Sequence, residues 1–546
     1  MKGMFFLMIM TFLFSSCGKG ESDPLIKIRG IEMPTLLEEI VNTNRAKTFG
    51  STVPNFQERA LEFLTKDFDH EEDMRIAKSV KELVEKNKIF FGEMDYPSGT
   101  PAGTVSRREA IADINFLFSI LRYGYTGYGY FGGDAIFHSL RNSIIERLRL
   151  MEEPISNNDL LSIISQPLQE VIFDNHFALH TIRFNAPSQV AYMNEDFVIR
   201  KTADGYVMDI YAETTKIVAT NLDDGTHIDC IVPTITKDGE LAFTFGVIAD
   251  PTTISGRGSA ITVSLLLEKI ATGEIISHNI ILGRIPNPLL FDRRPFEERP
   301  PLEQQQIRGI TVLENRHMWG TWTDAREMLA AHREFYSVGM DMRDKPAVIL
   351  DLRWNYGGSN LLGLEWIRGF SGREPAELGL LPFVLSTFTA HELGEAFYPS
   401  DDEITFDFLP WSQGVGDTWL SDPNRRGQWF FPELPDWRAI PNETPVIVLT
   451  DGNVSSAGET FLSELMQMEN VVVVGVNTMG TKLSDGVIRI CLPNSGLEIQ
   501  FGSLTLWLRP DFSQFEGVGY APDLWVHPRD SLERALAFIE RYGIPQ

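Results

Sequence analysis

The sequence predicts a multidomain α/β protein with an N-terminal helical region, an antiparallel β module and a C-terminal α/β core built on a largely parallel sheet. Three observations carry this. The chain has 546 residues, more than one hydrophobic core holds at ordinary domain sizes. Its apolar spacing changes from helical in the first third to strand-like in the middle. The last part alternates near-continuous apolar runs with an amphipathic helix, the pattern of strands buried on both faces.

The elements follow in order. From Met33 to Asp174 the apolar residues recur at three and four positions, as in Ile111-Ile114-Leu117-Phe118-Leu121 and Ile144-Ile145-Leu148, which predicts helices. The glycine-tyrosine stretch from Tyr123 to Gly133 interrupts them as a loop whose aromatics pack over helix ends. From about Asp196 to Leu282, β-branched runs are separated by turns such as Thr202-Ala203-Asp204-Gly205 and Lys237-Asp238-Gly239, which are hairpin signals. Asn287 to Gln306 is rich in Pro, Arg, Glu and Gln and reads as a linker. Beyond it AVILDLR (347–353), VIVLTD (446–451) and VVVVGV (471–476) read as buried parallel strands, with a helix over Ser456 to Met468 between the last two. Asp530 and Glu533 open a final helix with capping-box spacing. The resulting division is 1–17 signal segment, 18–32 tether, 33–185 helical, 186–285 β-rich, 286–306 linker and 307–546 core. No internal repeat is present.

Composition narrows the functions. Hydrophobic residues make up 43% and charged residues 23%, a balance that excludes disordered, collagen-like and polytopic membrane chains. The formal charge of -27 repels phosphate backbones, and no basic patch offsets it, so no nucleic-acid partner is expected. Three cysteines are too few for a disulfide scaffold, and no Cys/His spacing suggests a metal. Cys17 stands apart. Lys2, the apolar stretch Met4–Phe14 and the small residues Ser15 and Ser16 precede it, as in the lipobox of bacterial lipoproteins, with Phe14 in the usual place of Leu. This predicts export, with lipid attachment at Cys17; the alternative is a cleaved signal peptide with an incidental cysteine. Whether Cys230 and Cys491 meet is left open.

Two segments carry chemistry. In TDGNVSSAGETFLSELM a strand turns tightly through Gly452 and Asn453, and Ser456 stands at a helix start. Free amides and the positive end of the dipole there can stabilise an anion, an acyl-transfer oxyanion included. The same Ser456-x-x-Glu459 spacing is also a capping box, and most serines so placed only cap. In ILDLRWNYGGSN (349–360) a buried strand ends in Gly357-Gly358, which lets backbone amides face a ligand with no Cβ in the way.

Together with GVNTMG (475–480) and FEGVGYAPDLWV (515–526), these segments resemble the tail-specific (C-terminal processing) protease family. The first resembles its nucleophile motif, the second its D-L-R-x-N-x-G-G signature, and the others its G-x-x-T-x-G and E-x-x-G-x-x-P-D elements. Order and spacing agree over roughly 310–530. The resemblance implies a core of the ClpP/crotonase-like type, no cofactor and no metal, and a protein or peptide substrate.

That family uses two catalytic designs. A Ser-Lys dyad needs lysine directly after the G-x-x-T-x-G glycine; here Thr481 stands there and Lys482 follows, on the opposite face if the segment is extended. The Ser-His-Glu design of the tricorn core protease and the chlamydial protease-like activity factor fits better. The resemblance then implies Ser456 as nucleophile, His176 of Asp174-Asn175-His176 as base, Glu516 as its orienting carboxylate, and amides of Ala457 and Gly357 or Gly358 as the oxyanion hole. His317 is the runner-up base, and His180 invites a metal reading for which no third ligand is indicated. Glu459 reads as a cap partner. The β module lacks the carboxylate-binding glycine loop and G-D-x-I element of the family's PDZ domain, so a PDZ-like fold and a sandwich are both open. The expected function is an exported, membrane-anchored serine endopeptidase of the cell envelope. The alternatives are a non-catalytic binding lipoprotein on the same fold and a Ser-Lys enzyme using Lys482.

Overall fold

The structure, a computed structural model, describes residues 35–49, 103–222, 224–251, 259–286, 299–319, 325–373 and 440–542, with short pieces within 53–60, 71–75, 89–91, 375, 383–384 and 429–430. Cys17, the signal segment and the tether lie outside the described residues.

Helix α1 (Thr35–Phe49) and strand β1 (Ile89–Phe91) come first. Strand β2 (Thr104–Val105), helices α2 (Arg107–Gly124) and α3 (Gly133–Arg149), strand β3 (Ile155–Ser156) and helix α4 (Asn157–Gln169) follow. Helix α2 starts at a full capping box, in which Ser106 Oγ accepts from the Glu109 amide and the Glu109 carboxylate accepts from the Ser106 amide. The apolar spacing puts Ile114, Leu117, Leu121, Ile144 and Leu148 on one side, where they are buried together. The hairpin of β4 (Ala178–Leu179) and β5 (Ile182–Arg183) ends this part.

The β module is one antiparallel sheet, not two stacked ones. Its strands are β6 (Val190–Thr202), β7 (Gly205–Ile210), β8 (Glu213–Leu222), β9 (Ile231–Ile235), β10 (Leu241–Ala249), β11 (Ala260–Lys269) and β12 (Ile275–Arg284). They lie in the order β12-β11-β8-β7-β6-β10-β9. Because β12 also pairs with β6, through Gly283↔Met193 and Arg284↔Tyr192, five strands close into a ring. Ring closure satisfies backbone groups that an open sheet leaves at its edges. Val263, Leu265 and Leu267 alternate inward to fill it. Cys230 is buried there as a free thiol, pushed up to about 11 by its burial, and it forms no disulfide with Cys491.

The core begins with β13 (Glu303–Ile307), β14 (Ile310–Glu314), α5 (Ala325–Met342), β15 (Val348–Asp351) and α6 (Asn360–Ser371). It continues with β16 (Phe383–Val384), β17 (Trp429–Phe430), β18 (Val446–Thr450), α7 (Ala457–Leu465) and β19 (Val471–Gly475), then β20 (Ser484–Cys491), β21 (Glu498–Leu506), β22 (Leu524–Trp525) and α8 (Ser531–Tyr542). The main sheet runs β13-β14-β15-β18-β19-β22, parallel except for its edge strand β13. The polar run Glu303–Gln306, read from the sequence as linker, is that edge strand; its side chains face solvent, so alternation of apolar residues is not needed. Val448, Val471 and Val474 of the central strands are fully buried. Each such side chain contributes about 1.5–3 kcal/mol relative to exposure.

A third sheet, β1-β20-β21-β4-β5, joins distant parts of the chain, pairing Ile499 with Leu179 and Gln500 with Ala178. Its Ile488, Ile490, Ile499 and Phe501 share the core of α2, α3 and α4. This joint sets His176, just before β4, against the C-terminal half of the molecule.

Candidate active site

Strand β18 ends at Thr450, and the chain turns into α7 with Ser456 at φ 51°, ψ −123°. Residues with a Cβ seldom occupy such a conformation, and holding one there costs on the order of 1–3 kcal/mol. The turn is held from outside: the Ser455 amide donates to the Asn355 carbonyl at 2.9 Å, and Asp451 accepts from the Trp354 and Asn453 amides at 3.0 Å each. Ser456 makes no capping hydrogen bond from its side chain. The capping-box reading of Ser456 and Glu459 therefore fails. Glu459 is fully buried and accepts instead from Thr478 Oγ1 (2.5 Å), the Gly480 amide (2.7 Å) and the Thr481 amide (2.7 Å). Burial raises its carboxyl above the usual range, and these donors pull against that rise. Its work is to tie α7 to the 478–481 loop.

With its hydroxyl released from capping, Ser456 Oγ lies 3.1 Å from His176 Nε2. The other ring nitrogen, Nδ1, lies 2.5 Å from the Ser484 carbonyl oxygen. A carbonyl only accepts, so Nδ1 carries the proton and Nε2 presents its lone pair to the serine. That is the tautomer a general base needs.

Glu516 is not on the imidazole. Both of its oxygens are taken by backbone: Oε1 accepts from the Asn175 amide (2.8 Å), and Oε2 from the amides of Lys482 and Leu483 (3.0 Å each). The expected contact with His176 is replaced by the Ser484 carbonyl, because three amides converge on the carboxylate first. Burial, with the nearby charge of Asp174, pushes the Glu516 carboxyl well above the usual range against the pull of those amides.

The glycine turn reaches the serine from β15. A Cβ on Gly357 would stand 2.9 Å from Ser456 Cβ and from the Ala457 amide nitrogen, and one on Gly358 would stand 2.2 Å from the Met318 carbonyl. Both have positive φ, 92° and 133°, so glycine is required twice over. The Gly357 amide donates to Asn355 Oδ1 at 2.8 Å and is thus committed. Of the three expected oxyanion donors, Gly358 and Ala457 keep their amides for a ligand. The loop is anchored at Asp351, to which Arg316 (2.9 Å) and Arg353 (2.5 Å) donate. Burial alone would raise this carboxyl; the two guanidiniums hold it well below the usual carboxylate range.

Lys482 lies in the same pocket, with Asn360, Thr460, Glu464, Asp485 and Trp507. Its ammonium stands 4.7 Å from the centre of the Trp507 ring, while the serine's partner is the imidazole. His317 is tied to backbone on both nitrogens, Nε2 to the Arg299 carbonyl (2.9 Å) and Nδ1 to the Trp319 amide (3.2 Å). His180 is buried at the β4–β5 turn, and no group of three metal-ligating side chains occurs among the described residues.

Sequence reasoning did not assign Asp174, Ser484, Asn355 or Tyr125. Asp174 had a signal in its spacing to His176; Asn355 lay within the glycine signature. Nothing local marks Ser484, since its role is to offer a carbonyl.

A serine hydroxyl on an imidazole, at a helix start beside two uncommitted amides, is the constellation of a serine hydrolase. Residues 417–526 match the model of peptidase family S41, a serine-type peptidase family, and the resemblance to the tail-specific proteases is borne out. No protein of curated function matches the chain. Among solved structures it is similar to mature CPAF, with 14% identity and a TM-score of 0.39 over 80% of this chain and 96% of that one. It is also similar to the photosystem II D1 C-terminal processing protease, with 14% identity and a TM-score of 0.34 over 81% and 98%. A lipoprotein from Streptococcus agalactiae has 10% identity and a TM-score of 0.36 over 80% and 97%.

Proposed function

We propose that the chain is an exported, lipid-anchored serine endopeptidase of the bacterial cell envelope, with Ser456 as nucleophile and His176 as general base and then acid. The single observation that carries this reading is the 3.1 Å contact from Ser456 Oγ to an imidazole nitrogen whose lone pair is free to accept its proton. As Ser456 attacks the scissile carbonyl, Nε2 takes the hydroxyl proton and the developing oxyanion turns to the Gly358 and Ala457 amides. The imidazolium then protonates the leaving amine, and water repeats the sequence to release the acyl group. The fixed backbone strain at Ser456 keeps the nucleophile out of the helix's own hydrogen bonding.

Glu516 acts at one remove, through the amides that set the 482–484 backbone, and no step passes a proton to it. Lipid attachment at Cys17 is supported by the segment Lys2–Cys17 alone.

Peptide hydrolysis by wild type and by Ser456→Ala, with thermal melting of both, tests the reading. Loss of turnover at equal melting temperature, together with labelling of Ser456 by a serine-reactive phosphonate in wild type only, supports it. Equal turnover by the variant rejects it, and a wild type inert to both substrate and phosphonate makes the chain a binding protein.

A further inference from the structure

The His176 imidazole is oriented by a carbonyl, and that carbonyl has a support of its own. Ser484 is fully buried, and its hydroxyl donates to Asp174 Oδ2 at 2.7 Å while its carbonyl oxygen accepts from His176 Nδ1. Asp174, also fully buried, accepts from the His176 amide on Oδ1 (2.9 Å) and from the Tyr125 hydroxyl on Oδ2 (2.8 Å). We propose that Asp174 is a positioning residue for the proposed base, acting through the Ser484 side chain to hold the 484 carbonyl on Nδ1.

The geometry makes the two ends of the contact one unit. Asp174 fixes the backbone of His176 by one oxygen and the side chain of Ser484 by the other, so histidine and acceptor are referred to the same carboxylate. A backbone carbonyl cannot choose its own place as a side-chain carboxylate can; it goes where its residue is held. Ser484 is held on both sides, by Glu516 on the amides of Lys482 and Leu483 before it, and by Asp174 on its hydroxyl. Strand β21 leaves room for that hydroxyl: a Cβ at Gly502 would stand 2.4 Å from Ser484 Oγ. Loss of the hydroxyl frees the carbonyl to turn, and Nδ1 then has no fixed reason to keep the proton. The consequence is mixing of the two imidazole tautomers, one of which cannot accept from Ser456.

This inference rests on the peptidase reading for its catalytic meaning, though its structural content can be measured without turnover. The test is the ¹⁵N chemical shifts of the His176 ring in full-length wild type, Ser484→Ala and Ser484→Thr. The Nδ1–H form is expected in wild type and in the threonine variant, and a mixture in Ser484→Ala. In peptide hydrolysis, kcat of Ser484→Ala is expected to fall about tenfold, the effect of one lost hydrogen bond, with KM within about twofold and recovery in Ser484→Thr. Asp174→Ala should reproduce the Ser484→Ala spectrum; should it not fold, Asp174→Asn is expected to show the same mixing, since an amide cannot accept from the His176 amide, the Tyr125 hydroxyl and the Ser484 hydroxyl together. An Nε2–H tautomer in wild type, or unchanged shifts and kcat in Ser484→Ala, overturns the proposal. Failure of the wild type to hydrolyse peptide or react with phosphonate, with the tautomer shift still seen, would sink the peptidase reading and leave Asp174's role intact.

Discussion

Ser456 and His176 arrive at one contact by opposite kinds of support. The serine is held within the core sheet: a buried parallel strand, a turn in positive φ pinned by Trp354 and Asn355, and the first turn of α7. The histidine sits in a loop, its ring held by the Ser484 carbonyl 308 residues away, and Ser484 is in turn tied by its hydroxyl to Asp174, 310 residues before it. Bonds within the core sheet thus support one half of the pair, and a hydrogen-bond relay to the N-terminal part the other. The first kind of support should be robust to distant change, and the second should not.

The strongest way to break the comparison is to remove either partner. Ser456→Ala and His176→Ala should each lower kcat by at least about 10³-fold in a peptide assay while leaving melting unchanged, because members of such a unit fail together. Lys482→Met is the control, expected within about fivefold of wild type since its ammonium faces Trp507; a loss equal to that of His176→Ala would transfer the base to lysine. Next, Gly358→Ala should cost about 10²–10³-fold in kcat, because the new Cβ would clash with the Met318 carbonyl and displace an oxyanion amide, with KM little changed. Glu516→Gln sharpens the remote side. An amide group must turn a donor toward at least one of the Asn175, Lys482 or Leu483 amides, and chemical denaturation should show a loss of about 1–3 kcal/mol.

The last effect is a pH dependence of stability in the core. His332 on α5 is buried, and its burial, with the nearby charge of Arg368, lowers it to about 4. Its folded pKa is depressed, so the unfolded chain binds the extra proton between about 6.5 and 4, and stability falls as pH drops through that window. The contribution is at most about 3 kcal/mol. Denaturation at pH 7 and pH 4 for wild type and His332→Leu should show the difference shrink in the variant.

The same contrast explains what the sequence disclosed. The helices, the antiparallel module and the parallel core follow from local periodicity, and so does the glycine turn at 357–358. Ser456 was legible as a nucleophile site, but spacing alone could not separate it from a cap; the backbone conformation does, by turning the hydroxyl away from the helix amides. His176 was reached through the family motif, and Glu516 was assigned a contact that three amides pre-empt. Closure of the β module into a ring depends on the pairing of β12 with β6, a contact between strands far apart in sequence that no local pattern encodes. Edge strand β13 escaped because a solvent-facing strand needs no apolar alternation.

The sheet that joins β4 and β5 to β20 and β21 has a consequence for biosynthesis. His176 leaves the ribosome 280 residues before Ser456, and the strands that seat it later still. The contact between Ser456 and His176 is therefore completed only after the strands β20 and β21 have been made.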